Sequence, residues 1–311
     1  MTLDIARLGE GGKASAGPRV AVVGCGGAGC NSLKYLNPGL GISSFALGRD
    51  PARIKKVEAH HRFVVPETEM DAAVGTDFRI SISEHLHTAG VLSDSLKGAN
   101  MAFVVAGLGG SIGWRCAAMA SRVAREHGAL SVIIAILPFS VESAERRKEA
   151  DKQLMFLRKA CDGLLTIHND RITEIAPKLP FSRAMELVSE LALLVPHELS
   201  AAATLEDVRL LKSAFATARE LRADVATAHG ADREFSIAKN AVESEWMAVG
   251  ARDVVSAVLL VSGERDAGEV EECAQELRNS LPNLRYLAFG RSASVPHDGR
   301  TLRACAILGL K

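Results

Sequence analysis

The residues here whose types and spacing could do chemistry are two glycine-rich turns. The first, Gly24-Cys25-Gly26-Gly27-Ala28-Gly29-Cys30-Asn31, follows the apolar run Val20 to Val23. The second, Ala106-Gly107-Leu108-Gly109-Gly110-Ser111-Ile112-Gly113, follows the apolar run Met101 to Val105, and a helical pattern begins behind it at about Trp114. A buried strand feeding glycines and then a helix N-terminus leaves backbone N–H groups open at the positive end of the helix dipole, which suits a phosphate. Such turns also serve simply as tight corners. Two of them in one chain predict a single nucleotide held between two loops. Gly24-x-Gly26-x-x-Gly29 fits the dinucleotide fingerprint as well, with Asp50 at the end of the next strand where a ribose-binding acid is expected. An NAD-dependent Rossmann enzyme is therefore another reading, although no hydride-transfer set of His, Arg and Asp accompanies it.

Composition narrows the field. The 311 residues suffice for one large domain or two ordinary ones, and 37 basic side chains balance 37 acidic ones. No basic stripe with interleaved aromatics is present, so nucleic acid is not an expected partner. No apolar run is long enough for a signal peptide or a membrane span, so a cytoplasmic protein without direct membrane insertion is predicted. Cys25, Cys30, Cys116, Cys161, Cys273 and Cys305 are scattered without a C-x-x-C pair, and the histidines lack partners at ligand spacing. Neither a zinc site nor a disulfide framework is predicted, and a reducing compartment is the simple reading.

The elements that must position the turns follow from periodicity. Residues 1–18 read as a flexible tail. Short continuous apolar runs at Val20–Val23, Ser43–Leu47, Met101–Val105, Ser131–Leu137 and Leu164–Ile167 read as strands, with Phe63-Val64-Val65 as a further short one. Helical patterns occupy about Asp77–Lys97, Trp114–His127 and Val141–Ala160, while Ile54–Gly75 reads as otherwise irregular. Strands alternating with helices predict an α/β fold with a parallel, Rossmann-like sheet. Phe181–Leu199 reads as a long core helix that Pro196 should kink or end. Helices are predicted over Leu205–His229, Arg233–Ser244 and Ala267–Ser280, with strands at Val254–Val261, Leu284–Phe289 and Leu302–Leu308. The expected divisions are a nucleotide-binding domain at 19–180, a core helix with its connecting loop at 181–204, and a smaller α+β domain at 205–311.

Four stretches in order, Ala21–Leu36 (AVVGCGGAGCNSLKYL), Phe103–Gly113 (FVVAGLGGSIG), Ile136–Arg147 (ILPFSVESAERR) and Leu164–Asp170 (LLTIHND), resemble FtsZ of the tubulin superfamily. The resemblance extends from Arg19 to Leu310. It implies a GTP- or GDP-binding domain, with or without magnesium, a core helix, and a second domain whose first residues reach the nucleotide of the next subunit. Protomers of that family stack head to tail, with themselves or here with an FtsZ homologue, and such a contact does not close and so builds a filament. A role in cell division or cell shape is implied. The alternative is a nucleotide-free pseudo-GTPase that keeps the fold as an interaction module for a regular FtsZ.

The resemblance assigns roles by position. Gly26, Gly27, Ala28 and Asn31 match the first phosphate loop, with Asn31 near the base; the plainer reading of Asn31 is a residue of the first helical turn. Asp50 matches an acid after the second strand, but Gly48, Arg49 and Ala52 replace its expected neighbours. Gly107, Leu108, Gly109 and Gly110 match the tubulin signature loop, while Ser111, Ile112, Trp114 and Arg115 stand where the family has glycine and threonine. That loss removes hydroxyl contacts to phosphate, which the Arg115 charge could replace, or Trp114 could simply fill the space. Glu142 and Arg146 match residues that hold the ribose and the base-side edge; Glu142 also reads as a first-turn acid complementing a helix dipole. Asn169 matches a guanine-contacting position.

Three departures bear on activity. Met185 stands where a base-reading aspartate is expected. The stretch Val64–Thr76 carries Gly75 alone in place of a glycine-rich third phosphate loop. In the subunit-completing loop, Ala201–Val208, Asp207 aligns with one catalytic acid, Thr204 occupies the position of the other, and Glu206 is an extra acid beside it. Thr204-Leu205-Glu206-Asp207 equally reads as a capping box with Asp in place of Glu. Slow or absent GTP hydrolysis is the expectation. The family's terminal tail has no counterpart after Leu308, so a membrane or division ring would be reached through the N-terminal tail, another surface or a partner filament.

Overall fold

The computed structural model describes residues 3–9, 17–230, 232–264, 266–292 and 301–311. The chain divides into two compact units, residues 18–196 and residues 1–17 together with 197–311. The first described strand, β1 (Asp4–Arg7), belongs to the second of these.

Residues 18–196 begin with β2 (Val20–Cys25), which turns at once into α1 (Gly26–Ser32). There follow β3 (Ser43–Gly48), the one-turn α2 (Pro51–Ile54), β4 (His61–Val64), α3 (Glu67–Gly75) and α4 (His87–Leu96). Then come β5 (Met101–Gly107), α5 (Gly113–Glu126), β6 (Leu130–Leu137), α6 (Ala144–Ala160), β7 (Gly163–His168), α7 (Asp170–Ile175) and α8 (Phe181–Leu191). The strands lie in the order β7-β6-β5-β2-β3-β4, every pair parallel. β2, β5 and β6 are buried almost throughout, the pattern of parallel strands covered on both faces. The mixed α/β, mostly parallel architecture read from the sequence is the architecture found.

The second unit holds α10 (Asp207–Ala216), β8 (Glu220–His229), α11 (Arg233–Val242), β9 (Val254–Ser262), α12 (Ala267–Ser280), β10 (Tyr286–Arg291) and β11 (Thr301–Leu310). Its strand order is β1-β10-β9-β11-β8, with β1, β10 and β9 parallel and β11 antiparallel to both neighbours. Arg233 and Glu269, 2% and 3% exposed, form a two-pronged ion pair at 2.6 and 2.8 Å inside its core. No helix of the described residues is long and apolar enough to cross a membrane.

Several local expectations are corrected. The tail expected through residue 18 is strand over Asp4–Arg7, paired from Asp4↔Tyr286 to Arg7↔Phe289; residues 10–16 lie outside the described residues. The helix expected over Leu205–His229 ends at Ala216, and Glu220–His229 is a strand paired to β11 along its whole length. Its alanines favour helix, but ladder pairing outweighs a propensity of a few tenths of a kcal/mol per residue. The helix expected over Asp77–Lys97 is α4 alone. Arg122 donates to the carbonyls of Ala73, Asp77 and Ile80 at 2.7, 2.9 and 2.9 Å and so holds the preceding segment out of helical form. The core helix breaks at Ala192-Leu193 into α8 and α9 (Leu194–Ala202). Pro196 has no N–H to give the Ala192 carbonyl, so the break falls upstream of the proline.

Candidate functional site

The two glycine turns lie against each other. Gly26, at φ +68°, begins α1, and a Cβ there would stand 2.9 Å from Gly113 Cα. A Cβ on Gly107 would stand 2.8 Å from the Ala28 Cβ. Gly24 and Gly29 serve a different purpose. A methyl at Gly24 would come 2.5 Å from Gly29 O, and one at Gly29 would overlap the Val105 carbonyl oxygen, so α1 sits directly on β2 and β5. Gly27 and Gly110, by contrast, have nothing within 4 Å of the Cβ position. Neither α1 nor α5 has a side-chain cap or an acid in its first turn. Their N-terminal dipoles are therefore left for another group to complement.

Gly26, Gly27, Asn31 and Asp50 line one cavity of about 900 Å³, together with Ile112 from the second turn. Lys34, Arg49, Arg53 and Lys56 outnumber Asp50 and Glu58 on its wall; Arg49 pairs with Glu67 at 3.1 Å and Arg53 with Asp50 at 3.7 Å, which leaves a small positive excess that favours an anion. Cys30 also lines it, donating its thiol to Gly24 O at 3.3 Å, and burial pushes that thiol up from 9.0 to about 11. It is an uncharged wall rather than a nucleophile. Asp50 caps α2, accepting from Ala52 N at 2.9 Å and Arg53 N at 3.4 Å. Among the described residues no three His, Cys, Asp or Glu side chains stand together as a metal cage.

Ala28, Gly107 to Ser111, Glu142, Arg146 and Asn169 do not line this cavity. The second turn is instead engaged by its own chain. Gly109 N donates to Gln153 Oε1 at 2.8 Å, Gln153 Nε2 donates to Gly110 O at 3.0 Å, and Leu108 N donates to Ile136 O at 2.9 Å. Gly109 sits at φ +79°, and a Cβ there would meet Arg146 O at 2.6 Å, so the start of α6 packs on the loop. Glu142 and Arg146 form an ion pair at 3.1 Å, and Glu142 Oε1 accepts from Phe139 N at 2.8 Å. α6 is capped by Ser143, so Glu142 precedes the helix rather than lying in its first turn. Gln153 was missed by sequence reasoning. Its signal was a polar residue in the buried stripe of Ala150, Leu157 and Ala160.

Asn169 is 4% exposed and its Oδ1 has no protein partner, an orphan of the kind a ligand satisfies. Met185 is half-buried on α8, which packs against α1. Arg115 offers the cavity no charge: it donates to Ser111 O at 2.5 Å and pairs with Asp71 and Glu67 of α3. Trp114 packs edge-on against Phe156 at 5.4 Å. The stretch Val64–Thr76, expected as a degenerate loop, carries α3, so its amides are engaged in a helix.

Asp207 and Glu206, in the second unit, differ sharply. Glu206 is exposed and makes no capping bond. Asp207 is 3% exposed, and its Oδ2 accepts from Thr204 N at 2.7 Å, Thr204 Oγ1 at 2.8 Å and Gly9 N at 3.0 Å. Half of the expected capping box is present: the acid reaches back to the Thr204 N–H, but the threonine hydroxyl turns onto the same carboxylate instead of onto the helix.

A family model, "Tubulin/FtsZ family, GTPase domain", matches residues 19–177, just over half of the chain. Cell division protein FtsZ 1 of Pyrococcus horikoshii is 36% identical over 176 residues, covering 56% of this chain and 47% of that protein. Cell division protein FtsZ 2 of Methanocaldococcus jannaschii is 31% identical over 176 residues, 56% of this chain and 46% of its own. The chain thus spans about half the length of the curated relatives it matches. A mutant FtsZ of M. jannaschii superposes with a TM-score of 0.76 at 22% identity, covering 94% of this chain and 91% of that one. CetZ2 from Haloferax volcanii, solved as a GTPγS-bound protofilament, gives 0.74 at 18% identity, with coverages of 94% and 93%. At these identities the likeness is one of fold.

Proposed function

The chain belongs to the tubulin/FtsZ family, and on that premise we propose that it is a divergent FtsZ-like cytoskeletal protein of the cytoplasm. It binds a guanine nucleotide through the two glycine turns and assembles head to tail, alone or with an FtsZ homologue, in cell division or cell shape. The observation that carries this reading is the pair of turns locked together, with Gly27 open at the cavity of about 900 Å³. The amides of Gly26 and Gly27 would meet phosphate, and Arg49, Arg53 and Lys56 would balance its charge. Asn169, with its orphaned Oδ1, would meet the base. The half-buried Met185 can pack on a base but cannot accept from its ring N–H groups, so selectivity for guanine over adenine is weak. Hydrolysis is slow, because Asp207 is buried under three hydrogen bonds and only Glu206 of the two candidate acids is exposed. Magnesium, where present, would be held chiefly by the nucleotide's phosphates.

A second reading, a nucleotide-free module that partners a regular FtsZ, draws support from Gln153, which occupies the Gly109 amide. Calorimetric titration of nucleotide-stripped protein with GTP, GDP, ATP and NAD separates the two. Binding of GTP and GDP, with ATP only modestly weaker, is the expected result. No heat at millimolar nucleotide supports the module, and preference for NAD overturns both.

A further inference from the structure

The N-terminal strand ends on the carboxylate that the family resemblance marks as catalytic. β1 pairs with the edge strand β10, Leu8 N donates to Phe289 O at 2.6 Å, and Leu8, 4% exposed, lies over Gly290. The next residue, Gly9, donates its N–H to Asp207 Oδ2 at 3.0 Å, and its Cβ position faces Ala202 O at 3.9 Å. Gly9 therefore sits over the α9–α10 connection and supplies one of the three donors that occupy Asp207. The hold is light. β1 has four residues, its Asp4 and Ile5 are exposed, and the ion pair from Arg7 to Glu271, at 2.6 Å, lies at the surface. Short edge elements with few buried contacts occupy the low end of local opening free energies. Exposed ion pairs add little to that.

We propose that β1 with Leu8-Gly9 is a releasable autoinhibitory strap that keeps Asp207 masked. The proposal rests on the functional reading above. Seated, the strap leaves the Asp207 carboxylate bound to backbone and threonine donors. Released, it removes the Gly9 donor and opens the α9–α10 connection, so that Asp207 can face the nucleotide of a neighbouring protomer. There the carboxylate would accept a proton from the water that adds to the terminal phosphorus as the bond to the bridging oxygen breaks, giving GDP and inorganic phosphate.

The test uses the full chain with Leu8→Asp, which places a charge at a buried seat, and with the milder Arg7→Glu, which repels Glu271 without touching the core. Hydrogen exchange is followed over residues 202–208, and GTP turnover is measured with and without an added Asp207→Asn. Exchange at Thr204 and Asp207 should quicken about tenfold. Turnover should rise about tenfold, and Asp207→Asn should abolish the gain. Unchanged exchange in both strap variants overturns the strap. Faster exchange with bound GTP but flat turnover overturns the autoinhibition. If neither wild type nor variants bind nucleotide, the functional reading fails by itself. Exchange then still decides whether the strap masks Asp207: faster exchange supports it and unchanged exchange overturns it.

Discussion

The two glycine turns are spelt much alike, each leaves a buried parallel strand, and each starts a helix, yet they finish differently. The first leaves Gly27 open at a cavity rimmed with cations. The second is closed on itself, with Gln153 bonded to both Gly109 and Gly110 and the base of α6 pressed on Gly109. Glycine spacing specifies a turn that a phosphate could enter. Whether the amides stay available depends on which distant side chain reaches them, and here that side chain is more than 40 residues away, from a separation of 44 for Gly109 to Gln153.

The comparison can be broken most forcefully inside the first turn. Gly29→Ala would drive a methyl into the Val105 carbonyl, and it should cost about 3 kcal/mol in chemical denaturation, at the upper end of overpacking effects. A cost within error would mean that α1 does not sit on β5 as described. Next, Gln153→Ala removes both clamps on the second turn. It should lower stability by about 1–2 kcal/mol and, by freeing the Gly109 amide, tighten GTP binding. Weaker binding would show instead that Gln153 organises the loop for its ligand.

A chemical probe is gentler. Since burial raises the Cys30 thiol from 9.0 to about 11, the folded state keeps its proton where the unfolded state loses it. Stability should therefore be flat below pH 9 and fall as pH rises from 9 towards 11, and alkylation of Cys30 at pH 8 should be slow. Rapid labelling in native protein would contradict the buried wall. The smallest stability effect belongs to Gly27→Ala, within about 0.5 kcal/mol because the site is open. Its consequence should appear in nucleotide affinity, where a methyl would stand in the path of phosphate.

Much of this was legible in the chain. Val20 to Val23 and Met101 to Val105 announce buried parallel strands because such strands are apolar on both faces, and the resemblance to the family was carried by the four stretches between Ala21 and Asp170. β8 was illegible for a stateable reason. Leu221 and Ala223 are buried on one face and Ala226 and Ala228 on the other, so no single alternation runs through Glu220–His229. β1 was hidden because four residues are too few to tell a strand from a turn, and pairing with the β10 edge makes them a strand. Of the site, Gly26, Gly27, Asn31 and Asp50 were read at the cavity that they line. The burial of Asp207 beneath Gly9 depends on a contact 198 residues apart, which no local pattern encodes.

Hydrogen exchange with and without saturating GTP tests most directly whether one nucleotide lies between the two turns. Protection should rise together at residues 26–31 and 110–113 and leave 202–208 unchanged in unassembled protein. Protection at neither turn, or at the first turn with NAD alone, would contradict a guanine nucleotide held between them.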